Sequence, residues 1–178
     1  IAISLYSKDP EYAILASRIM VSNHHKSTYS TFSTSINDLY ENDIIDQYLY
    51  DLVDKNTDRI NSEIDHSKDY EIDFFGFKTL EKSYLLKVNK EIVERPQYLF
   101  MRVALCIHRD DIQKAIDTYH HLSNKEFIHA TPTLFNAGTK REQLASCFLL
   151  SMKDDSVNGI FDTLKDCATI SKYSGGIG

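Results

Sequence analysis

The sequence predicts a mainly α fold with a small β-hairpin, giving way at its C-terminal end to a strand followed by a helix. Three observations carry this reading. Apolar residues recur at helical spacing through the first three-quarters of the chain. Two short strand-like runs flank Asn89-Lys90. The unbroken apolar run Phe148-Leu149-Leu150 precedes one further helical repeat. The balance of the 178 residues, 42% hydrophobic and 26% charged, suits one packed core.

Taken in order, Asp9-Pro10-Glu11 is a helix start, with a capping carboxylate, a proline at the first helical position and an acid in the first turn. Tyr12, Leu15, Ala16, Ile19 and Met20 then make residues 10–26 an amphipathic helix. Ser27–Ser35, rich in Ser and Thr, reads as a loop. Ile36, Leu39, Tyr40, Ile44, Tyr48, Leu52 and Val53 form a second helical stretch. A polar connection over 65–73 leads to Phe74-Phe75-Gly76-Phe77, which reads as an aromatic plug in the core. Residues 85–94 form the hairpin, with Asn-Lys a weaker turn than Asn-Gly. Pro96 opens a helix with Leu99, Val103 and Cys106 on one face, so Cys106 reads as a small core residue. Asp110 or Asp111 caps the next helix, which carries Ile112, Ala115, Ile116, Tyr119 and Leu122. Phe127–Ala130 reads as a short strand leading into the turn Thr131-Pro132-Thr133.

Charge and cysteine usage narrow the function. A net charge of −6 argues against a surface that grips nucleic acid by its phosphates. Three cysteines, Cys106, Cys147 and Cys167, are too few and too scattered for a disulfide scaffold. The seven histidines show no zinc spacing, and His24-His25 and His120-His121 are adjacent pairs whose members point apart on a helix. The expectation is no metal. There is no apolar run long enough to span a membrane and no signal peptide. Ile1 in place of an initiator methionine predicts a start inside a longer intracellular protein.

The chemistry concentrates in the closing segment. Thr131–Gly138 combines hydroxyls, an amide and a glycine in a loop that could present donors to a phosphate, or could be ordinary turn chemistry. Cys147 stands beside Ser146 at the mouth of an apolar strand expected to enter a buried sheet, as a reactive thiol or as a core filler. Asp155-Ser156 opens a helix carrying Ile160, Leu164, Cys167 and Ala168, and its N-terminus is either a polar-ligand site or a plain cap. Lys172 in the last turn suits the helix dipole or a phosphate, and Cys167 reads as core or helix interface.

These residues carry a resemblance. Ala130-Thr131-Pro132-Thr133-Leu134-Phe135-Asn136-Ala137-Gly138-Thr139, Ser146-Cys147-Phe148-Leu149-Leu150, Asp154-Asp155-Ser156 and Gly175-Gly176-Ile177-Gly178 closely resemble the large subunit of class I ribonucleotide reductase, eukaryotic type. Tyr12-Ala13-Ile14-Leu15-Ala16, Phe75-Gly76-Phe77-Lys78-Thr79-Leu80-Glu81 and Glu94-Arg95-Pro96-Gln97 resemble it too. The resemblance implies three regions: residues 1–26 as the last helix of an N-terminal ATP cone, 27–144 as a helical domain, and 145–178 as the first strand and helix of a ten-stranded α/β barrel. It implies reduction of ribonucleoside diphosphates by thiyl-radical chemistry under allosteric nucleotide control, supplying deoxyribonucleotides for DNA replication in the cytoplasm.

Residue by residue, Cys147 matches the first of a reducing cysteine pair, and Thr131 and Ser146 match substrate contacts. Asp155, Ser156, Val157 and Lys172 match the specificity-effector site, and Lys26 matches a nucleotide contact of the cone. Implied partners are ATP and deoxynucleotide effectors, a radical-generating small subunit, a second large subunit, and thioredoxin or glutaredoxin as reductant. No cofactor resident in this segment, no nucleic acid and no membrane are expected. The radical cysteine, the second reducing cysteine and the C-terminal shuttle cysteines would lie beyond Gly178, so these residues alone are expected to be inactive. A non-catalytic helical nucleotide-binding or dimerisation module is the alternative. A cysteine hydrolase using Cys147 with His129 as base is a third reading, and it lacks an orienting residue and an oxyanion loop.

Overall fold

In the computed structural model of the chain, residues 1–173 and 175–178 are described. Helix α1 (Glu11–Ser27) begins where Asp9 Oδ1 accepts the Glu11 N–H at 2.9 Å. The expected Ser/Thr-rich loop is shorter than its composition suggests. Thr31 caps α2 (Phe32–Glu41) by accepting the Thr34 N–H, which draws the helix start forward by several residues.

The single helical stretch expected over 36–53 is two helices. After α2 the chain turns through Asp43, in the left-handed region at φ 65°, and Asp46 caps α3 (Gln47–Lys55) by accepting from Leu49 N at 2.7 Å. Asn and Asp compete with the helical backbone for hydrogen bonds, so they break a helix that the apolar periodicity alone would continue. A short helix α4 (Thr57–Glu63) and a 3-10 turn (His66–Glu71) follow.

The aromatic cluster is not a plug. It is the first turn of α5 (Phe74–Ser83), capped by Asp73. Helical spacing sends Phe77 inward, at 0% exposure, and Phe75 outward, at 71%. The hairpin forms as expected. Strand β1 (Lys87–Val88) pairs antiparallel with β2 (Glu91–Ile92), and the central residues Asn89 and Lys90 both have positive φ, at 49° and 75°.

Helix α6 (Pro96–His108) is the core of the molecule, buried continuously from Pro96 to Cys106. It packs most extensively on α7 (Ile112–Ser123), which Asp111 caps. Leu99, Val103, Ile116 and Tyr119 join one cluster with Ile36, Leu49 and Ile60 from the preceding helices. Phe127–Ala130 is not a strand. It runs irregularly with Ile128 largely exposed. Thr131–Gly138 is not a plain loop either, because Pro132 pre-sets the first turn of a short helix, α8 (Thr131–Asn136). Gly138, at φ 71°, ends it.

The C-terminal segment is a β-α-β unit. Strand β3 (Cys147–Phe148) is followed by α9 (Val157–Lys172) and by β4 (Gly176–Ile177), which pairs parallel with β3. The expectation of a buried strand is not met. Cys147 is exposed and Leu149 is 92% exposed, and among the described residues β3 has β4 as its one strand partner. Helix α9 is amphipathic as expected, yet Val157, Ile160, Phe161 and Leu164 are also exposed.

Candidate functional site

The site is built on α8. Thr131, its first residue, is exposed, and its Oγ1 lies 3.1 Å from the Tyr84 hydroxyl. The Tyr84 ring stacks on Phe135 one turn further on, 4.9 Å between centroids. Beneath the other end of α8 lies Arg102, wholly buried on α6. Its guanidinium donates to the carbonyls of Ala137 at 2.6 Å and Leu134 at 3.1 Å. The same group donates to both carboxylate oxygens of Glu94, at 2.6 and 3.1 Å, and Glu94 is buried as completely. Leu86 N–H, at the base of the hairpin, also donates to Glu94. Each nitrogen of the guanidinium and each oxygen of the carboxylate therefore has a partner, the condition under which a buried charge is tolerated.

Two further bonds tie α8 to the segment that leads into the strand carrying the cysteine. Thr133 Oγ1 donates to Leu144 O and Asn136 Nδ2 donates to Gln143 O, each at 2.9 Å. Ser146 and Cys147 are brought together, with Oγ and Sγ 3.6 Å apart. The Gly176 N–H donates to Ser146 O at 2.7 Å, fixing the mouth of β3 against β4. The three sulfurs differ sharply in setting. Cys106 is buried as expected, and burial together with its bond to the Glu142 carboxylate pushes its thiol up to about 12. Cys147 is open to solvent and Cys167 is half-buried on α9, and all three are free thiols.

The other expected contacts lie apart. Ser156 caps α9, accepting the Gly159 N–H at 3.0 Å, with Asp155 and Val157 exposed beside it. Asp154 packs so closely on Gly159 that any Cβ there would overlap its backbone. Lys153 pairs with Asp166 at 2.7 Å, so the approach to α9 is folded along the helix. Lys172 lies at the far end of α9, with its ammonium over the Tyr173 ring at 5.7 Å. Fifteen steps of 1.5 Å separate it from Val157 by about 22 Å. Lys26 is exposed in the last turn of α1, which is anchored by His24 Nε2 donating to Glu94 O at 3.1 Å and by Arg95 donating to His25 O at 3.0 Å.

A cavity of about 540 Å³ opens beside Thr131, walled by Tyr84, Phe100 and Leu134 and reaching Gln97 and His129. Gln97 is 1% exposed; its Oε1 accepts from Tyr119 and Ser123, and its Nε2 has no partner. Burial, and secondly the neighbouring His108, lower the pKa of His129. The Cys147 sulfur has Ser146 as its hydrogen-bond neighbour rather than His129, so the hydrolase pairing does not assemble. Among the described residues no three His, Cys, Asp or Glu side chains cluster as a metal site, and no helix is long and apolar enough to cross a membrane.

Sequence reasoning missed the roles of Glu94, Gln97 and Arg102. Charged and amide side chains on an apolar helix carry no periodic signal that distinguishes a buried pair from a solvated face.

Residues 70–142 match the family model described as ribonucleotide reductase, all-alpha domain, and 145–178 match the one described as ribonucleotide reductase, barrel domain. The chain is 56% identical over 181 residues to a protein of Danio rerio named ribonucleoside-diphosphate reductase large subunit, covering 97% of this chain and 23% of that protein. Identically named proteins of Vaccinia virus (strain Copenhagen) and Arabidopsis thaliana are 54% and 52% identical, over 100% and 99% of this chain and 24% and 23% of theirs. The chain thus spans about a quarter of the length of these relatives.

Proposed function

Because the chain belongs to the ribonucleotide reductase large-subunit family, we propose that it is the part of such a subunit that presents one reducing thiol and part of the substrate and effector contacts. The observation that carries this reading is Cys147: an exposed thiol beside Ser146, on a strand whose approach, at Gln143 and Leu144, is tied by two side-chain bonds to the helix that begins with Thr131. Thr131 and Ser146 offer hydroxyls to a ribonucleoside diphosphate, and Cys147 is the first of two cysteines that reduce it.

A thiyl radical, raised through the small subunit, activates the ribose; the C2′–O bond breaks and the oxygen leaves as water. Two electrons and two protons come from the cysteine pair, which closes to a disulfide and is reopened by thioredoxin or glutaredoxin. The second sulfur is supplied from outside these residues: neither Cys106, buried with its thiol pushed up to about 12, nor Cys167, half-buried on α9, matches the family's partner cysteine. ATP or a deoxynucleotide at Asp155, Ser156 and Val157 sets substrate choice. Lys172, about 22 Å away along α9, serves the same class of ligand from the far end of the helix. Lys26 contacts nucleotide in the cone. The exposed apolar face of α9 supports assembly with a second large subunit. The setting is cytoplasmic.

The test is Cys147→Ser in the complete large subunit with its small subunit. Multiple turnover driven by dithiol is expected to fall at least about a hundredfold, with deoxynucleotide binding unchanged. Undiminished turnover refutes the role of Cys147.

A further inference from the structure

Helix α8 is six residues long, too short to hold its own shape, and no side chain caps its N-terminus. Its orientation is set from outside, and the group that closes its C-terminal end is Arg102, through the carbonyls of Leu134 and Ala137. Arg102 is in turn fixed by Glu94, and the pair is buried with 0% and 1% of its side chains exposed. A buried ion pair adds little net stability over well-packed apolar residues, because the loss of hydration offsets the attraction. What it adds is geometry: a planar fork with two fixed directions, one to Glu94 and one to α8.

We propose that Arg102, held by Glu94, is a positioning residue for substrate binding, setting α8 so that the Thr131 hydroxyl meets the ribonucleoside diphosphate. The proposal rests on the reading of Thr131 as a substrate contact. The register reaches further than Thr131. Thr133 and Asn136 carry the orientation of α8 to Leu144 and Gln143, three or four residues before Cys147. Glu94 Oε2, which accepts from Arg102 Nη2, also takes the Leu86 N–H, so the hairpin, α6 and α8 are joined through one ion pair.

The experiment is steady-state kinetics of the complete reductase carrying Arg102→Lys, Thr131→Ala, both together, or Val103→Ala. The lysine keeps the charge but cannot span Glu94 and two carbonyls at once. Val103→Ala lowers stability from the same buried helix and leaves the Arg102 hydrogen bonds to Glu94 and α8 in place. Expected for Arg102→Lys is a rise in KM for ribonucleoside diphosphate of about tenfold, larger than any change in kcat, with deoxynucleotide binding at wild-type affinity. Val103→Ala is expected to lower the melting temperature with KM unchanged. In KM the double variant is expected to be no worse than Thr131→Ala alone, since Arg102 acts on substrate binding through Thr131.

A folded Arg102→Lys enzyme with wild-type KM, or a KM shift that Val103→Ala reproduces, overturns the proposal while leaving the Thr131 reading intact. A wild-type KM for Thr131→Ala overturns both. If Arg102→Lys does not fold, Glu94→Gln replaces it in the same comparison. This variant keeps an acceptor for the guanidinium and is expected to raise KM about threefold, and an unchanged KM counts against the proposal.

Discussion

Cys106 and Cys147 are the same residue type in the same chain, and their surroundings set their chemistry. The Cys106 thiol is buried on α6, donates to the Glu142 carboxylate at 2.7 Å, and is pushed up to about 12. At pH 8 only about one molecule in ten thousand then carries the thiolate, the form that reacts. Cys147 is exposed. Iodoacetamide at pH 8 is therefore expected to label Cys147 at least about a hundred times faster than Cys106, read by peptide mapping against time. Comparable rates would show that Cys106 is not enclosed as described. Sequence alone leaves Cys147 open between thiol and filler, because the factor that decides is whether another layer covers β3.

At the scale of elements, the ends of α8 govern what it can present. Gly138 sits at φ 71°, and a Cβ there would overlap a methyl of Leu49. Its carbonyl accepts the Asp46 N–H at 3.1 Å, joining α8 to the start of α3. Gly138→Ala is expected to destabilise the protein by about 2–3 kcal/mol, visible as a lower midpoint in denaturant. A midpoint within error of the wild type would mean that this turn relaxes freely.

Helices α1, α6, α7 and α9 and the hairpin are legible in the sequence, because each combines apolar period with a cap, a proline or an Asn-containing turn. The break at Asn42–Asp46 is masked by apolar residues that keep helical spacing on both sides of it. Helix α8 is hidden because Thr-Pro-Thr suits a turn and a first helical turn equally. Phe74–Phe77 misleads because aromatic content says nothing about which residues a helix turns outward.

At the scale of the whole molecule, three histidines are carried into the fold at a cost in basicity. Burial lowers the pKa of His24 despite its bond to the Glu94 carbonyl and the nearby charges of Asp69 and Glu81. Burial, then the charge of Arg95, lowers His66, and burial, then His108, lowers His129. For each, the folded state holds its proton less tightly than the unfolded chain, whose histidines titrate near 6.5. The unfolded state therefore binds more protons as pH falls below that value, so stability is complete above about 6.5 and lost as pH drops through the lowered values. The melting temperature is expected to fall between pH 7.5 and 5.5, with a shallower fall in His24→Gln. An equal slope in that variant would remove His24 from the account. None of this is visible in the sequence, where the His24-His25 and His120-His121 pairs look alike. His24 is buried against the Phe77 ring, whereas His120 and His121 are exposed and pair with Glu63 and Glu126. The candidate site divides the same way. Thr131, Ser146, Cys147 and Ser156 stand out in the sequence as hydroxyls and a thiol beside turns and caps, while Glu94, Gln97 and Arg102 acquire meaning only when distant segments meet.

The pairing of β3 with β4 has a consequence for the thiol itself. Only two residue pairs define it, Cys147 with Gly176 and Phe148 with Ile177, and so short a ladder could slide. A slip of one residue would exchange the two faces of β3 and turn the sulfur to where the Phe148 ring now lies. Gly175 acts as a pawl against that motion. Any side chain there would strike Ile170 at 2.6 Å and Phe148 at 2.8 Å, so a slip that brought the preceding serine into its place is blocked. The direction in which Cys147 points is thus indexed by a residue with no side chain, twenty-eight positions further along the chain.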